Sequence, residues 1–286
     1  MKHLDNYITE KLYTPEPELK TYQPKNFREL VDCVRATTSD QLSKNNKWYK
    51  KTISLIKRKQ KYETINLNTI DTSKITDIGE LFKTLPKMYL MHNYDVSQWD
   101  VSKVTNMSEA FAGVENFACD LSNWDVSNVK NFSGMFIGCK YFNSDLSKWD
   151  VSKATDMNHM FAHCEYFNSD VSKWKVSKVT NMNHMFAHCE YFNSDVSKWD
   201  VSNVKNFGGM FENCYEFNSD VSKWDISSAQ DVSRMFCDCK KFDCDLSNWD
   251  VSDIGDNGVM SLKYAMLDGT KTDENPELKP KGYRGR

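Results

Sequence analysis

Seven tryptophans, Trp99, Trp124, Trp149, Trp174, Trp199, Trp224 and Trp249, fall 25 residues apart without an insertion. A fixed period of this length marks an array in which each unit packs on its neighbours, so the chain reads as a stack of coils before anything else is read from it. From Asp95 onward the unit is D-V/L-S-x-W-D-V-S-x-V-x-N-M-x-x-M-F-x-x-C-x-x-F-N-S. Around Trp149 its apolar members are Leu146, Trp149, Val151, Met157, Met160, Phe161, Cys164 and Phe167. A single unit is too small to bury them, and stacking makes the core.

Alternation across Trp149-Asp150-Val151 predicts one short strand per unit. The spacing of Met157, Met160 and Phe161 predicts a helical or 3₁₀ turn before the chain returns. Stacked in parallel at ~4.8 Å, the strands of the Trp units would form a sheet roughly 30 Å long. The flanks divide accordingly. Residues 1–64 read as a helical N-terminal cap or docking segment. Residues 65–94 read as an irregular capping repeat, with Ile70 in the Trp column and Ile75, Ile78, Leu81 and Phe82 in apolar columns. The 25-residue repeats run over 95–258, and a C-terminal cap and mobile tail over 259–286. Within the first segment Leu4, Ile8 and Leu12 predict a short helix ending before Pro15 and Pro17. A second helix has Asn26 as its cap and Phe27, Leu30, Val31 and Val34 on one stripe. Trp48, Ile53, Leu55 and Ile56 are expected to pack on the first repeat. At the other end Ile254, Met260, Leu262 and Met266 are expected to close the array.

Charge separates along the chain. The net charge is only -3, but residues 1–64 carry fourteen Lys or Arg against eight Asp or Glu. No basic run is interleaved with aromatics in a nucleic-acid motif, so no nucleic-acid partner is expected. No apolar run reaches the ~18–20 residues that span a bilayer, and the N-terminal stretch lacks the apolar core of a secretory signal. An intracellular or virion-associated soluble protein is therefore expected rather than a classically secreted one. Five of the nine cysteines, Cys139, Cys164, Cys189, Cys214 and Cys239, share one repeat position, which predicts a buried file rather than a disulfide framework.

The unit WDVSxVTNMxxMFxxCxxFNSD resembles the BspA-type, leucine-rich-like surface repeats, the DUF285 family, of mycoplasma and gut-bacterial surface proteins and of viruses and phages. The resemblance covers about residues 65–254. The segment LDNYITEKL resembles the short leader before such repeats in gut-phage or prophage proteins. Two features depart from the pattern. The export signal or lipoprotein cysteine of many surface members is missing, and Val104 and its equivalents stand where leucine-rich repeats carry asparagine. The resemblance implies a fold and little about function. The expected architecture is a leucine-rich-repeat-like right-handed solenoid with one short parallel strand and one short helical turn per repeat.

Three constellations carry chemistry. The segment HMFAHC occurs twice, as His159, His163, Cys164 and His184, His188, Cys189. Histidines at i and i+4 on stacked helical turns would suit a transition metal. Residues 157–174 and 182–199 are identical, however, so duplication alone accounts for both pairs, and no metal or other cofactor is expected. The aspartate columns before and after each Trp would suit calcium, but the glycine-rich loops of such sites are missing. Like charges ~4.8 Å apart in water repel by roughly 0.9 kcal/mol, so an unbroken carboxylate column is unfavourable. Lys175 interrupts one such column beside Lys148, Lys173, Lys198 and Lys223, and charge relief explains it better than recognition.

Walker, GxSxG, HExxH and Rossmann signatures are absent, which argues against an enzyme. The sequence therefore points to a non-enzymatic repeat module that binds a protein or a glycan through a rigid polar β-sheet face. The expected face comprises Lys148, Asp150, Lys173, Lys175, Lys198, Asp200, Lys223 and Asp225. The alternative is a structural component of a virion or surface appendage, anchored by the basic N-terminal segment.

Overall fold

The computed structural model describes residues 22–52, 64–254 and 265–283. The expected helix at Leu4, Ile8 and Leu12, the side chain of Trp48, the apolar residues Ile53, Leu55 and Ile56, and Met260 and Leu262 lie outside what is described. No helix among the described residues is long and apolar enough to cross a membrane.

Helix α1 spans Phe27–Thr52. Asn26 caps it: its Oδ1 accepts from the Glu29 N–H at 3.0 Å, while Glu29 reaches back to the Lys25 N–H at 2.9 Å. Leu30, Val31 and Val34 are buried in the core that the coils share. Strands β1 (Thr64–Asn66) and β2 (Asn93–Asp95) pair in parallel, Thr64 opposite Asn93. The Gln41 carboxamide donates to Asn66 O at 2.6 Å and accepts from the Asn66 N–H at 3.0 Å. A side chain thus makes the two bonds that another strand would make at this point of the β1 edge. Residues paired between β1 and β2 are 29 apart in sequence, and short 3₁₀ turns at Phe82–Thr84 and Lys87–Tyr89 take up the extra length.

The coils otherwise pair in parallel through one residue each, Asp77, Asn106, Asn131, Asp156, Asn181, Asn206 and Asp231 in succession. The run after each bridge divides its N–H groups between two kinds of partner. Those of Met157, His159, Phe161 and His163 reach carbonyls of the next coil at 2.8–3.0 Å, whereas Met160, Ala162 and Cys164 close turns onto residues three back at 2.9–3.2 Å. The spacing of Met157, Met160 and Phe161 comes from these turns. They do not continue into a helix, because His159 and His163 have φ of 53° and 61°. The same two columns hold Gly134, Gly138 and Gly209, which adopt that conformation without steric cost.

The inter-coil ladder is displaced from the position the sequence suggests. Residues 149–151 form no strand; the Trp149 N–H instead closes a turn onto Leu146 O at 3.1 Å. Local chemistry explains the difference. Asp145, Asp150 and Asp156 each accept, through Oδ1, the N–H two residues on, at 2.9–3.0 Å. These Asx turns bend the chain where alternation alone suggested an extended segment.

Inside the coils the apolar columns are buried, and side chains tie one coil to the next. Trp149 and Trp174 stack with centroids 6.4 Å apart, and Phe161 and Phe186 at 5.6 Å. Each indole N–H from Trp124 to Trp224 donates to a carbonyl 28 residues back, as Trp174 does to Leu146 O at 3.1 Å. The cysteine file is free and buried, and each thiol donates to a Phe carbonyl of the preceding coil, Cys164 to Phe136 O at 3.0 Å. Burial raises the Cys164 and Cys189 thiols well above their ordinary range, which makes the file unreactive.

The C-terminal segment corrects an expectation. Over 265–283 the tail is docked rather than mobile, and it completes the last coil. Phe236, Asp238, Leu246 and Val251 donate to Met266, Asp268, Leu278 and Lys281 at 2.7–2.9 Å. Thr270 and Thr272 are buried, and helix α2 (Lys271–Glu274) starts from the Thr270 cap. Lys281 pairs with Asp250 at 2.8 Å. The polar composition that suggested mobility supplies the partners an open coil end requires.

Candidate functional site

All eight residues of the expected face, Lys148, Asp150, Lys173, Lys175, Lys198, Asp200, Lys223 and Asp225, are exposed beside the buried tryptophans. They do not lie on the ladder of coil-to-coil backbone bonds, which follows the Asn106 to Asp231 column and the residues after it. The aspartates also serve the fold. Hydrogen bonds from the Ser152 side chain and N–H hold the Asp150 carboxyl below its usual range, and Lys175 adds to the effect. Asp200 and Asp225 likewise accept from the N–H groups of Ser202 and Ser227, at 3.2 and 2.9 Å. Lys175 cannot cap in this way, and it stands in the column between Asp150 and Asp200.

Part of the face is gathered into a groove of about 500 Å³, lined by Asn193, Asp195, Ser197, Lys198, Asn218, Ser219, Asp220 and Lys223. Lys198 and Lys223 are brought together here. The carboxylates that share the groove are Asp195 and Asp220, from the column before Trp, rather than Asp200 and Asp225. Ser219 is buried, and its Oγ accepts the Val196 N–H at 3.0 Å. Ser194 and Ser169 make the same bond to Val171 and Leu146, so this row is fixed to the core.

The histidines form two separate stacks rather than one cluster of four imidazoles. His159 and His184 are 4.9 Å apart at their centroids, and His163 and His188 are 4.3 Å apart. Nδ1 of His159 and of His184 faces the adjacent Asn Oδ1 at 3.1 and 2.9 Å. Cys164 and Cys189 are in the core, and among the described residues no group of three or more His, Cys, Asp or Glu is placed to hold a metal ion. The His184 ring leans over Gly209, where a Cβ would meet its Nε2 at 2.6 Å, and reaches the buried Glu212 at 3.5 Å. Arg234 pairs with the same carboxylate. Burial alone would raise the Glu212 carboxyl, but the His184 and Arg234 hydrogen bonds outweigh it and bring it to about 2.

These groups set an acid response. Burial, then the charges of neighbouring histidines, lowers His159 and His163, with Asp156, Glu109 and Glu212 opposing. A lowered histidine contributes stability above its unfolded value of about 6.5 and loses it as the pH falls through the folded value. Asp145, Asp150 and Asp170 are lowered by the hydrogen bonds of Ser147, Ser152 and Ser172, so their contribution is lost only at pH below about 4. Thermal unfolding followed against pH is expected to show two successive losses. The first should be absent when His159 and His163 are replaced by Asn, which tolerates the left-handed backbone as Asn213 does. A first loss of unchanged size in that variant would assign it to other groups.

Sequence reasoning missed one exposed feature. Tyr141, Tyr166 and Tyr191 stand one residue before the buried Phe of their coils and stack on the outside, with centroids 5.5 and 5.3 Å apart and planes within 12°. Lys140 pairs with Glu165 at 2.6 Å beside them. The signal in the sequence is the recurrence of Tyr-Phe-Asn at the repeat period.

The family described as "Mycoplasma protein of unknown function, DUF285" matches residues 50–174 and again 155–270, together well over half of the chain. The chain belongs to this family. The first DUF285 match begins within α1, and the second ends at Thr270, the buried cap residue of α2. Comparison of this DUF285 chain with curated proteins and with solved structures gave no match.

Proposed function

We propose that the chain is a non-enzymatic binding module, a leucine-rich-repeat-like right-handed solenoid that presents a preformed polar face to a protein or a glycan. The groove carries this reading: Lys198, Lys223, Asp195 and Asp220 alternate in charge at a register fixed by the coils beneath them. A face held in place by the core loses little conformational freedom on binding, so modest contacts suffice. Because Trp174 and its equivalents are interior, recognition falls to the residues beside them.

Panels of glycans and of proteins, probed with the full chain, test the reading. At least one ligand is expected to bind, and to weaken by about tenfold or more when Lys173, Lys175 and Lys198 are changed to Glu, with the thermal midpoint retained. A ligand held equally by that variant would place recognition elsewhere. No ligand in either panel would remove the reading.

A further inference from the structure

We propose that the tyrosine ladder and the asparagine row beside it bind a neutral linear polysaccharide, laid along the stacking direction across the coils of Tyr141, Tyr166 and Tyr191. The inference rests on the binding-module reading and names its ligand. The fold does not require these tyrosines: the equivalent position is Asn116, Glu216 and Lys241 in other coils. Yet all three are 41–50% exposed, and their rings form one continuous stack. Stacking fixes aromatic surface in advance and limits the entropy lost when a ligand covers it.

Two residues beyond each Tyr, across the buried Phe, stands an exposed Asn. Asn143, Asn168 and Asn193 each accept, through Oδ1, the N–H of the corresponding residue one coil on, at 2.9 Å. This bond orients each carboxamide. It leaves the Nδ2 groups, with no partner among the described residues, as a row of donors next to the aromatic row. The donor row ends in the groove, where Asn193 and Asn218 meet Asp195, Asp220, Lys198 and Lys223.

The chemistry of this surface selects among ligands. A polyanion would meet Asp195 and Asp220, and a polycation would meet Lys198 and Lys223, so neither is favoured along its length. A sugar hydroxyl both donates and accepts, and it satisfies carboxylate, ammonium and carboxamide alike. The C–H faces of pyranose rings cover aromatic surface while their hydroxyls remain free for the asparagines. Period decides against an extended peptide, whose same-side residues recur about every 6.7 Å. The ladder repeats at 5.3–5.5 Å, close to the interval between successive rings of a β-1,4-linked chain.

Calorimetric titration of the full chain with cellohexaose, chitohexaose, heparin and an unstructured neutral peptide tests the inference. At least one neutral hexasaccharide is expected to bind. Changing Tyr141, Tyr166 and Tyr191 together to Asn, the residue at position 116, should weaken it by about tenfold or more and leave the thermal midpoint unchanged. Equal binding by that variant, or no binding of either neutral hexasaccharide, would overturn the polysaccharide assignment. If heparin or the peptide binds instead and is lost on the lysine reversals, the binding-module reading stands and this inference fails. Silence from all probes, with no ligand on the panels, removes both.

Discussion

Replacing Trp174 with Ala is expected to destabilise the array by about 3–5 kcal/mol. The indole is almost wholly buried at the centre of the array, stacked between Trp149 and Trp199 with centroids 6.4 Å away on each side. Its N–H also donates to Leu146 O at 3.1 Å, so one substitution removes packing from three coils and a bond between two of them. Urea unfolding should show a lower midpoint with the slope retained. Trp174→Phe keeps most of the packing and loses the donor, which is worth about 1 kcal/mol. Leu146 O still accepts the Trp149 N–H at 3.1 Å, so the carbonyl is not orphaned. Equal losses in the two variants would mean that the hydrogen bond, rather than the ring, holds the coils together.

Truncation after Ile254 removes the docked segment and is expected to have an effect at least as large. The N–H groups of Phe236, Asp238, Leu246 and Val251 lose acceptors at 2.7–2.9 Å, on the order of 4 kcal/mol from hydrogen bonds alone. Phe236, Phe242 and Trp249 would be uncovered with them. In an array stabilised by neighbour contacts the loss stays local, so the last coil should lose amide protection while the coils around Trp149 to Trp199 keep theirs. The bare end presents unpaired backbone to a second molecule, and light scattering should detect association. A monomeric truncated chain with a protected last coil would show that the segment only decorates the array.

The buried columns were legible because the 25-residue period aligns them without ambiguity. The Trp, Met, Phe and Cys columns, with Ala110 and Val114 standing in for Met and Cys in the coil of Trp99, face inward, since a misaligned coil would expose a whole apolar set. The Asn26 cap was legible for a similar reason: Asn with Glu three residues later is a local signal with a local cause. Less legible was the backbone at the histidines. Spacing at three and four residues is common to a helix and to a chain of tight turns, and only the sign of φ separates them. Gly134, Gly138 and Gly209 in those columns were the available sign.

Residue spacing is enough to give the period, the buried columns, the placement of lysine and aspartate outside the tryptophans, and the family. Each follows from side-chain chemistry repeated at one interval. Which part of each coil pairs with the next is settled by packing, because Asx turns at Asp145, Asp150 and Asp156 compete with extension and their outcome depends on the coils above and below. The docking of the polar tail is a matter of packing too: Lys271, Thr272 and Lys281 find partners on the open end of the last coil. The tyrosine ladder is the third such case. One Tyr before a buried Phe is an ordinary surface residue, and three become a continuous aromatic strip only when stacking brings them within 5.5 Å.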